Sequence, residues 1–291
     1  MKNQPVFFMA LFLGIFPGFA GGQNAKTGEN PTASAIIESI IAKTGSRVIP
    51  NTVDVIKAGD PETRITGIVT TMFATMDVLR KAVEMNCNLI IPHEPLFYNH
   101  LDETGSLKDD PVYLEKKKYI DDNKLVIWRF HDYIHSMQPD GILSGMANRL
   151  GWKDYIVNGR LDDYSIPETT LEGMLGYLKK IFPGNAFYVV GNPDLRVSRV
   201  KFLCGSPGSS AHLKALADKS VDAVIAGEVP QWETYEYMRD AVLQGRPKAI
   251  VFIGHISSEE SGMDFCADWL RSFIKGIPVS FVASGSSYWS Y

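Results

Sequence analysis

The chain has 291 residues, of which 45% are hydrophobic and 21% are charged, with a formal net charge of -4 at pH 7. This length is sufficient for a sizeable core, in one large domain or two smaller ones. The absence of a basic block argues against a surface dedicated to nucleic acid or anionic lipid, because both need clustered lysine and arginine.

The first 25 residues have the pattern of a secretory signal peptide. Lys2 precedes an apolar run from Val6 to Phe16, and small residues follow, with cleavage expected near Ala20 or Ala25. The apolar run is about half of the roughly 20 residues that a membrane-spanning helix needs, so a stable anchor is disfavoured. A buried N-terminal helix is the alternative. We therefore expect a secreted or periplasmic mature chain.

After a short lead-in, the first half of the chain alternates between helix and strand patterns. In chain order the predicted elements are helix 35–43, strand 66–71, helix 76–85, strand 88–91, helix 111–123, strand 125–130 and a helix from about 138 to 150. The strands are short β-branched or apolar runs, and the helices have apolar residues at helical spacing.

The second half resumes the alternation after a less regular segment, 151–193, which is expected to link two halves. In chain order the predicted elements are helix 170–181, strand 186–190, strand 200–204, a Gly/Ser turn at 205–210, a helix to 219, strand 222–225, a helix through 243, strand 249–253, helix 259–275 and strand 279–282. The predicted domains are the signal peptide, an N-terminal lobe at 26–155, and a linking segment with a C-terminal lobe at 156–291. The alternation predicts an α/β fold with two similar lobes and mixed, largely parallel sheets.

Four of the buried strand patterns end in a side chain that can bind a metal ion. These endings are His93-Glu94, His131, Glu228 and His255, and His135 follows shortly after His131. In open α/β sheets, ligands bind outside the carboxyl ends of the strands, so residues past several strand ends can converge on one crevice. Imidazole with carboxylate is a ligand set for zinc, iron or manganese. The sequence therefore predicts a metal site between the two lobes.

Several motifs resemble the dinuclear-metal hexameric family of type 2 GTP cyclohydrolase I, over roughly Ile36 to Tyr291. One is a strand that ends in two adjacent ligands before Pro-Leu-Phe, here 93–97, and another is a Gly-His-x-x-x-Glu element, here 254–259. A Gly-Glu pair after a strand, Gly227-Glu228, lies between them. The resemblance implies two divalent metal ions, a toroidal hexamer and a hydrolytic activity.

The chain departs from the family pattern at two ligand positions. The family has His-His where this chain has Glu94 in second place, and it has Asp four residues after a His where this chain has His135 after His131. An impaired site is one interpretation. The exchange nevertheless keeps three histidines and two carboxylates, so we expect the site to persist, with the bridging role taken by Glu94 or by a water. The ligands implied by the resemblance are His93, Glu94, His135, His255 and Glu259.

Glu228 and His131 are the candidate catalytic residues. Glu228 can act as a general base, or it can be a carboxylate at the N-terminus of a helix that begins near Pro230. His131 and Asp132 can orient a ligating imidazole by hydrogen bonding. The family usually has histidines shortly after the Gly-Glu pair, and their absence here puts its proton-transfer chemistry and substrate preference in question.

Two further features are assigned structural roles. The turn at 205–210 has the composition of an anion cradle, but it lacks the lysine of a phosphate-binding Walker loop, so a simple strand-to-helix turn is favoured. Cys87, Cys204 and Cys266 are an odd number of thiols in apolar surroundings, which favours buried free cysteines and leaves one disulfide open.

The leading interpretation of function is a secreted metal-dependent hydrolase that cleaves a ring, a cyclic amide or a phosphoester. No Gly-x-Ser-x-Gly element supports a covalent serine mechanism. Two alternatives remain: a metal-binding or metal-delivery protein without turnover, and an interaction protein whose assembly is its function. Secretion would make GTP an implausible natural substrate.

Overall fold

A computed structural model describes residues 29–289. The predicted signal peptide lies outside the described residues, so secretion stays a prediction. Within 29–289, no helix combines the length and the apolar character that a membrane crossing requires.

The first half of the chain builds most of one five-stranded sheet. Its elements are α1 (Ala33–Thr44), β1 (Ile56–Ala58), β2 (Ile68–Thr71), α2 (Met76–Glu84), β3 (Leu89–Pro92), α3 (Pro111–Asp122), β4 (Val126–Trp128), α4 (Asp132–Ser136) and α5 (Gly141–Leu150). The strand order is β1-β4-β3-β2-β11, where β11 (Val279–Phe281) returns from the C-terminal end of the chain. All neighbours are parallel except β1 and β4.

The second half builds a six-stranded mixed sheet. Its elements are β5 (Ile156–Val157), β6 (Arg160–Thr170), α6 (Leu171–Ile181), β7 (Tyr188–Val190), β8 (Arg196–Leu203), α7 (Ser209–Ala217), β9 (Ala223–Ala226), α8 (Thr234–Leu243), β10 (Ala249–Phe252) and α9 (His255–Phe273). The strand order is β5-β6-β8-β9-β10-β7, with the parallel neighbours β8, β9 and β10 at the centre.

The packing of α5 on α9 connects the two sheets at the level of the predicted site. An added Cβ at Gly145 would lie 2.2 Å from the backbone oxygen of Ser261, and one at Gly262 would lie 2.5 Å from the Cα of Ile142. The two helices approach so closely because both contact positions lack a side chain. This contact brings the residues just before α5 next to the first turns of α9.

The predicted fold class is confirmed, because the chain is α/β with two mixed sheets whose central strands are parallel. The strands β2, β3, β9 and β10 are buried at every position, which explains their continuous apolar runs. Two details differ from the sequence prediction. The polar strand β6 was expected to be irregular, and β11 joins the first sheet although the predicted lobes divide near residue 155.

Candidate metal centre

Strand ends from both sheets bring the predicted side chains together. His93 and Glu94 follow β3, Glu228 follows β9 by two residues, and His255 opens α9 shortly after β10. His93 is 0% exposed and Glu94 is 7% exposed. The cluster therefore lies at the carboxyl ends of parallel strands, where the strand-end rule predicts a binding site.

Two groups of donor atoms in this cluster are close enough to hold an ion. The imidazole group consists of His93, His131 and His135, and the carboxylate group consists of His93, Glu94 and Glu259. Within each group, the donor atoms lie within 4.8 Å of one another. His93 belongs to both groups, so the two sets of donors are contiguous.

His255 completes the carboxylate group. Its Nε2 lies 3.0 Å from Glu94 Oε1 and 3.0 Å from Glu259 Oε2. Two ligands of one ion, each about 2.1 Å from the metal, are separated by about 3.0 to 3.4 Å. The imidazole nitrogen and the two carboxylate oxygens therefore already have the spacing of ligands of one ion.

All four imidazoles of the cluster are oriented in the same way. Each ring contacts an oxygen acceptor through Nδ1: Phe130 O at 3.1 Å for His93, Asp132 at 2.9 Å for His131, Asp140 at 2.9 Å for His135 and Glu228 at 2.9 Å for His255. Each Nε2 is directed at the cluster carboxylates. The distance to Glu259 is 3.7 Å for His93 and 4.0 Å for His135, and the distance to Glu94 is 4.0 Å for His131. His255 Nε2 lies 3.0 Å from both carboxylates. Anchoring of one ring nitrogen by an oxygen is the usual arrangement of metal-binding histidines.

One buried atom at the centre, His93 Nε2, has no hydrogen-bond partner among the described residues, and Glu259 Oε2 lies 3.7 Å from it. Leaving a buried donor or acceptor unpaired costs about 1 to 3 kcal/mol. A cation between them would bind both atoms, since one is a lone-pair nitrogen in the neutral ring and the other a carboxylate oxygen. The donor set present thus fits a divalent metal ion.

Charge in the cluster keeps His93 neutral and His255 protonated. Burial, together with the neighbouring His135 and His131, lowers the pKa of His93 well below its usual range. Burial also disfavours the charged form of His255, but hydrogen bonds to Glu228, Glu259 and Glu94 outweigh it and raise the pKa of His255 to about 12. In the metal-free protein, a proton on His255 therefore neutralises part of the negative charge that a metal ion would otherwise neutralise.

Arg129 supports the unusual Glu94, and sequence reasoning missed it. The guanidinium is 0% exposed. It donates to Glu94 Oε2 at 3.0 Å, to His93 O at 3.1 Å and to His100 O at 2.6 Å. Burial opposes ionisation of Glu94, but the hydrogen bond from His255 and the charges of His255, His131 and Arg129 bring its pKa below the usual value. The sequence signal for Arg129 is its position as a lone arginine within an apolar strand pattern. Such a position predicts a buried charge, and a buried charge needs a partner.

Asp54 is a second residue that sequence reasoning missed. Its buried carboxylate accepts hydrogen bonds from the backbone N–H groups of His131 at 2.8 Å, Asp132 at 3.0 Å and Tyr133 at 2.8 Å. These contacts fix the first turn of α4, from which His131 and His135 project. Asp54 lies in an irregular segment, so no periodic pattern indicated it.

The turn at 205–210 leaves room for Glu259. Gly205 has φ +62°, and an added Cβ there would lie 2.4 Å from Glu259 Oε1. The Gly205 N–H donates to the Ser258 side chain at 2.9 Å, which ties the turn to α9. The turn therefore connects β8 to α7 and leaves space for the Glu259 side chain.

The three cysteines are free, as favoured from the sequence.

Positions 94 and 135 contribute to different donor groups. His135 joins the imidazole group, and Glu94 joins the carboxylate group. His131, predicted as a catalytic or orienting residue, lies among the donors of the imidazole group. The chain therefore presents a nitrogen-rich set beside an oxygen-rich set, and these sets suit different metal ions.

Comparisons with known proteins identify one family model and two curated relatives that share one description. Residues 50–286 match the family model of Duf34/NIF3 (NGG1p interacting factor 3). A curated protein from Clostridium acetobutylicum, described as a GTP cyclohydrolase 1 type 2 homolog, is 25% identical over 212 residues, which cover 69% of this chain and 75% of the relative. A second protein of that description, from Staphylococcus aureus, is 30% identical over 107 residues, which cover 36% of this chain and 28% of the relative.

Solved structures share the fold. A hypothetical protein from Staphylococcus aureus matches with a TM-score of 0.70 and 16% identity, covering 90% of this chain and all of the other (100%). A Bacillus cereus protein related to NIF3 matches with a TM-score of 0.69 and 15% identity, covering 89% of this chain and 98% of the other. At such identities the likeness concerns the fold alone.

Proposed function

The chain belongs to the Duf34/NIF3 family, and from this membership and the geometry of the cluster we propose that it is a dinuclear metal-dependent hydrolase. The predicted resemblance to type 2 GTP cyclohydrolase I proteins is confirmed at the family level. The observation that carries the proposal is the common orientation of the four imidazoles, each anchored through Nδ1 and directed through Nε2 at two buried carboxylates.

The two donor groups support a proposed assignment of the ligands. One ion is assigned to the imidazole group, and the other to Glu94, Glu259 and His255. The unpaired buried His93 Nε2, which lies 3.7 Å from Glu259 Oε2, supports this assignment. A divalent ion bound in such a site lowers the pKa of water and polarises the bond under attack.

Glu228 is the proposed general base. Its side chain is 55% exposed, and it accepts a hydrogen bond from His255 Nδ1 at 2.9 Å. That hydrogen bond outweighs burial and lowers the pKa of Glu228, so the carboxylate is ionised at neutral pH and can accept a proton. The alternative role as a helix cap is disfavoured, because α8 begins at Thr234 and not near Pro230.

The substrate is proposed to enter from the larger of two cavities beside the cluster. This cavity has a volume of about 1470 Å³, and its lining includes Glu228, His255, Phe73, Tyr235 and Tyr288. The volume exceeds the roughly 300 to 1,000 Å³ of most small-molecule sites, so it accommodates a ring system. A ring, a cyclic amide or a phosphoester remains the proposed substrate class.

The test is a turnover assay of metal-loaded protein with a panel of cyclic and phosphoester compounds. Glu228→Gln is expected to lose turnover by about 10² to 10⁴-fold at saturating metal, because it removes the proton acceptor. Turnover is compared at full metal loading, since Glu228 also orients His255 through Nδ1. Glu236→Gln, on the exposed face of α8, is the matched control and should keep full turnover. Metal-loaded wild type without turnover on any compound would contradict the hydrolase and favour the two alternatives, metal binding or delivery and an assembly-forming interaction protein.

The proposal also includes a hexameric assembly and secretion of the mature chain. The hexamer rests on the family resemblance, and secretion rests on the N-terminal sequence pattern. Light scattering of the purified protein tests the first, and mass spectrometry of the N-terminus after expression in the native host tests the second. A monomer, or an intact N-terminus, would remove the corresponding part without affecting the metal site.

A further inference from the structure

A smaller cavity, of about 680 Å³, opens on another side of the cluster. Its lining includes Glu94 and His255 together with Lys116, His100 and the first residues of α2. The volume is in the usual range for a small-molecule site. The cavity therefore joins the metal cluster to groups that the proposed hydrolytic step does not use.

Lys116 is a buried cation without a counter-ion. It is 6% exposed, and its Nζ donates to Leu96 O at 2.8 Å. No described carboxylate lies within ion-pair distance of Nζ. Asp102, the acidic residue that influences it, is paired with Lys57 at 3.2 Å. A lysine is almost never fully buried without a partner, and an ammonium has three donors.

The aromatic surroundings of Lys116 compensate its charge only in part. Its Nζ lies 5.3 Å from the ring centroid of Tyr98 and 5.9 Å from that of Phe97, yet burial still lowers its pKa to about 8, so the ammonium form would gain from a counter-charge. Met76 and Asp77 occupy the first two positions of α2, where backbone N–H groups have no acceptor within the helix. Both residues line the same cavity.

The acidic groups of this cavity already have partners. Asp77 is paired with Arg80 at 2.9 Å, and Glu94 is paired with Arg129 at 3.0 Å. The larger cavity has the opposite character, because its lining includes four carboxylates, Glu228, Glu260, Asp264 and Asp268, and one arginine, Arg149. An anionic ligand is thus directed to the smaller cavity.

We propose that the smaller cavity binds the anionic group of the substrate, a carboxylate or a phosphate, with Lys116 as its counter-ion. The bond to be cleaved then lies on the side of the cavity formed by Glu94 and His255. The part that concerns cleavage rests on the proposed hydrolase, whereas binding of the anion does not require a metal ion.

The experiment measures binding of inorganic phosphate and of acetate to the metal-free full chain by calorimetry. Lys116→Met keeps most of the aliphatic stem and removes the charge, so affinity for the preferred anion should fall at least about tenfold. Lys117→Met, one residue along the same helix, is the matched control, because Lys117 is exposed and paired with Asp121. Its affinity should equal that of the wild type. The anion that binds more tightly identifies the group.

A second measurement uses the unaltered chain and so does not depend on the folding of a variant. The preferred anion should slow reductive methylation of Lys116 but not of Lys117, as followed by peptide mass spectrometry. Equal affinity of Lys116→Met and wild type, no measurable binding of either anion, or unchanged methylation of Lys116 would each overturn the inference. Because the protein is metal-free throughout, failure of the proposed hydrolase would leave these results unaffected.

Discussion

Replacing Arg129 by Met is the most informative perturbation of the cluster, because Arg129 holds the buried Glu94 of the carboxylate group. The substitution removes a fully buried guanidinium that donates to Glu94 Oε2 and to two backbone carbonyls. Glu94 would then be a buried carboxylate whose remaining cationic neighbours are His255 at 3.0 Å and His131 at 4.0 Å. Removal of one partner from a buried ion pair costs about 3 to 5 kcal/mol, so the free energy of unfolding should fall by about that amount.

A double-mutant cycle separates this pair from general damage to the core. Glu94→Gln leaves Arg129 buried without its counter-charge, and the combination with Arg129→Met removes both charges. The double variant should therefore be more stable than the sum of the single effects predicts, with a coupling of about 1 to 3 kcal/mol. The assay is urea unfolding of the metal-free protein, with the slope checked for constancy.

The control for the cycle is Arg80→Met, which breaks the surface pair with Asp77. Exposed pairs contribute about 0 to 1 kcal/mol, so this variant should unfold close to the wild-type midpoint. The reasoning is refuted if Arg129→Met is no more destabilising than Arg80→Met, or if the effects of Arg129→Met and Glu94→Gln are additive.

Four further outcomes are expected. Metal binding at pH 7 should release at least about one proton per chain, because the metal-free His255 is protonated with a pKa of about 12. Calorimetry in buffers of different ionisation enthalpy measures the number of protons released, and release of no proton would contradict this prediction. The pKa of His255 is about 12 in the folded protein and 6.5 when unperturbed, so the free energy of unfolding of the metal-free protein should fall as pH rises between these values. Unfolding measured at several pH values tests this. Asp140→Asn removes the carboxylate that orients His135, so metal affinity should fall by about 10 to 100-fold in a chelator competition, and unchanged affinity would exclude that role. Gly205→Ala places a Cβ against Glu259, so it should lower metal affinity more than Gly208→Ala, where an added Cβ meets open space, and equal affinities would speak against the close approach.

The sequence indicated the location of the site because buried parallel strands are easy to recognise. Continuous apolar runs marked β3, β9 and β10, and residues just past several such runs can face one crevice. His93 and His255 were predicted in this way, and the structure places both in the candidate cluster. The fold class followed from the same alternation of strands and helices.

The supporting residues could not be predicted because their roles depend on contacts that are distant in sequence. Asp54 accepts hydrogen bonds from backbone groups 77 to 79 residues further along the chain. Arg129 occurs in what looks like an ordinary apolar strand, and Lys116 lies in a lysine-rich helix that looks solvated throughout. The strand β6 was missed because its exposed positions are polar and because it contains Pro167, which is uncommon within strands.

Elemental analysis of the chain purified without chelator, alongside His255→Ala, tests whether the cluster binds two metal ions. We expect zinc, iron or manganese at a total of about two ions per wild-type chain, as in dinuclear sites. His255→Ala should lose mainly the ion assigned to Glu94 and Glu259, since it removes the nitrogen 3.0 Å from both carboxylates. Wild-type protein with none of these metals above trace, also after reconstitution, would contradict the metal centre itself.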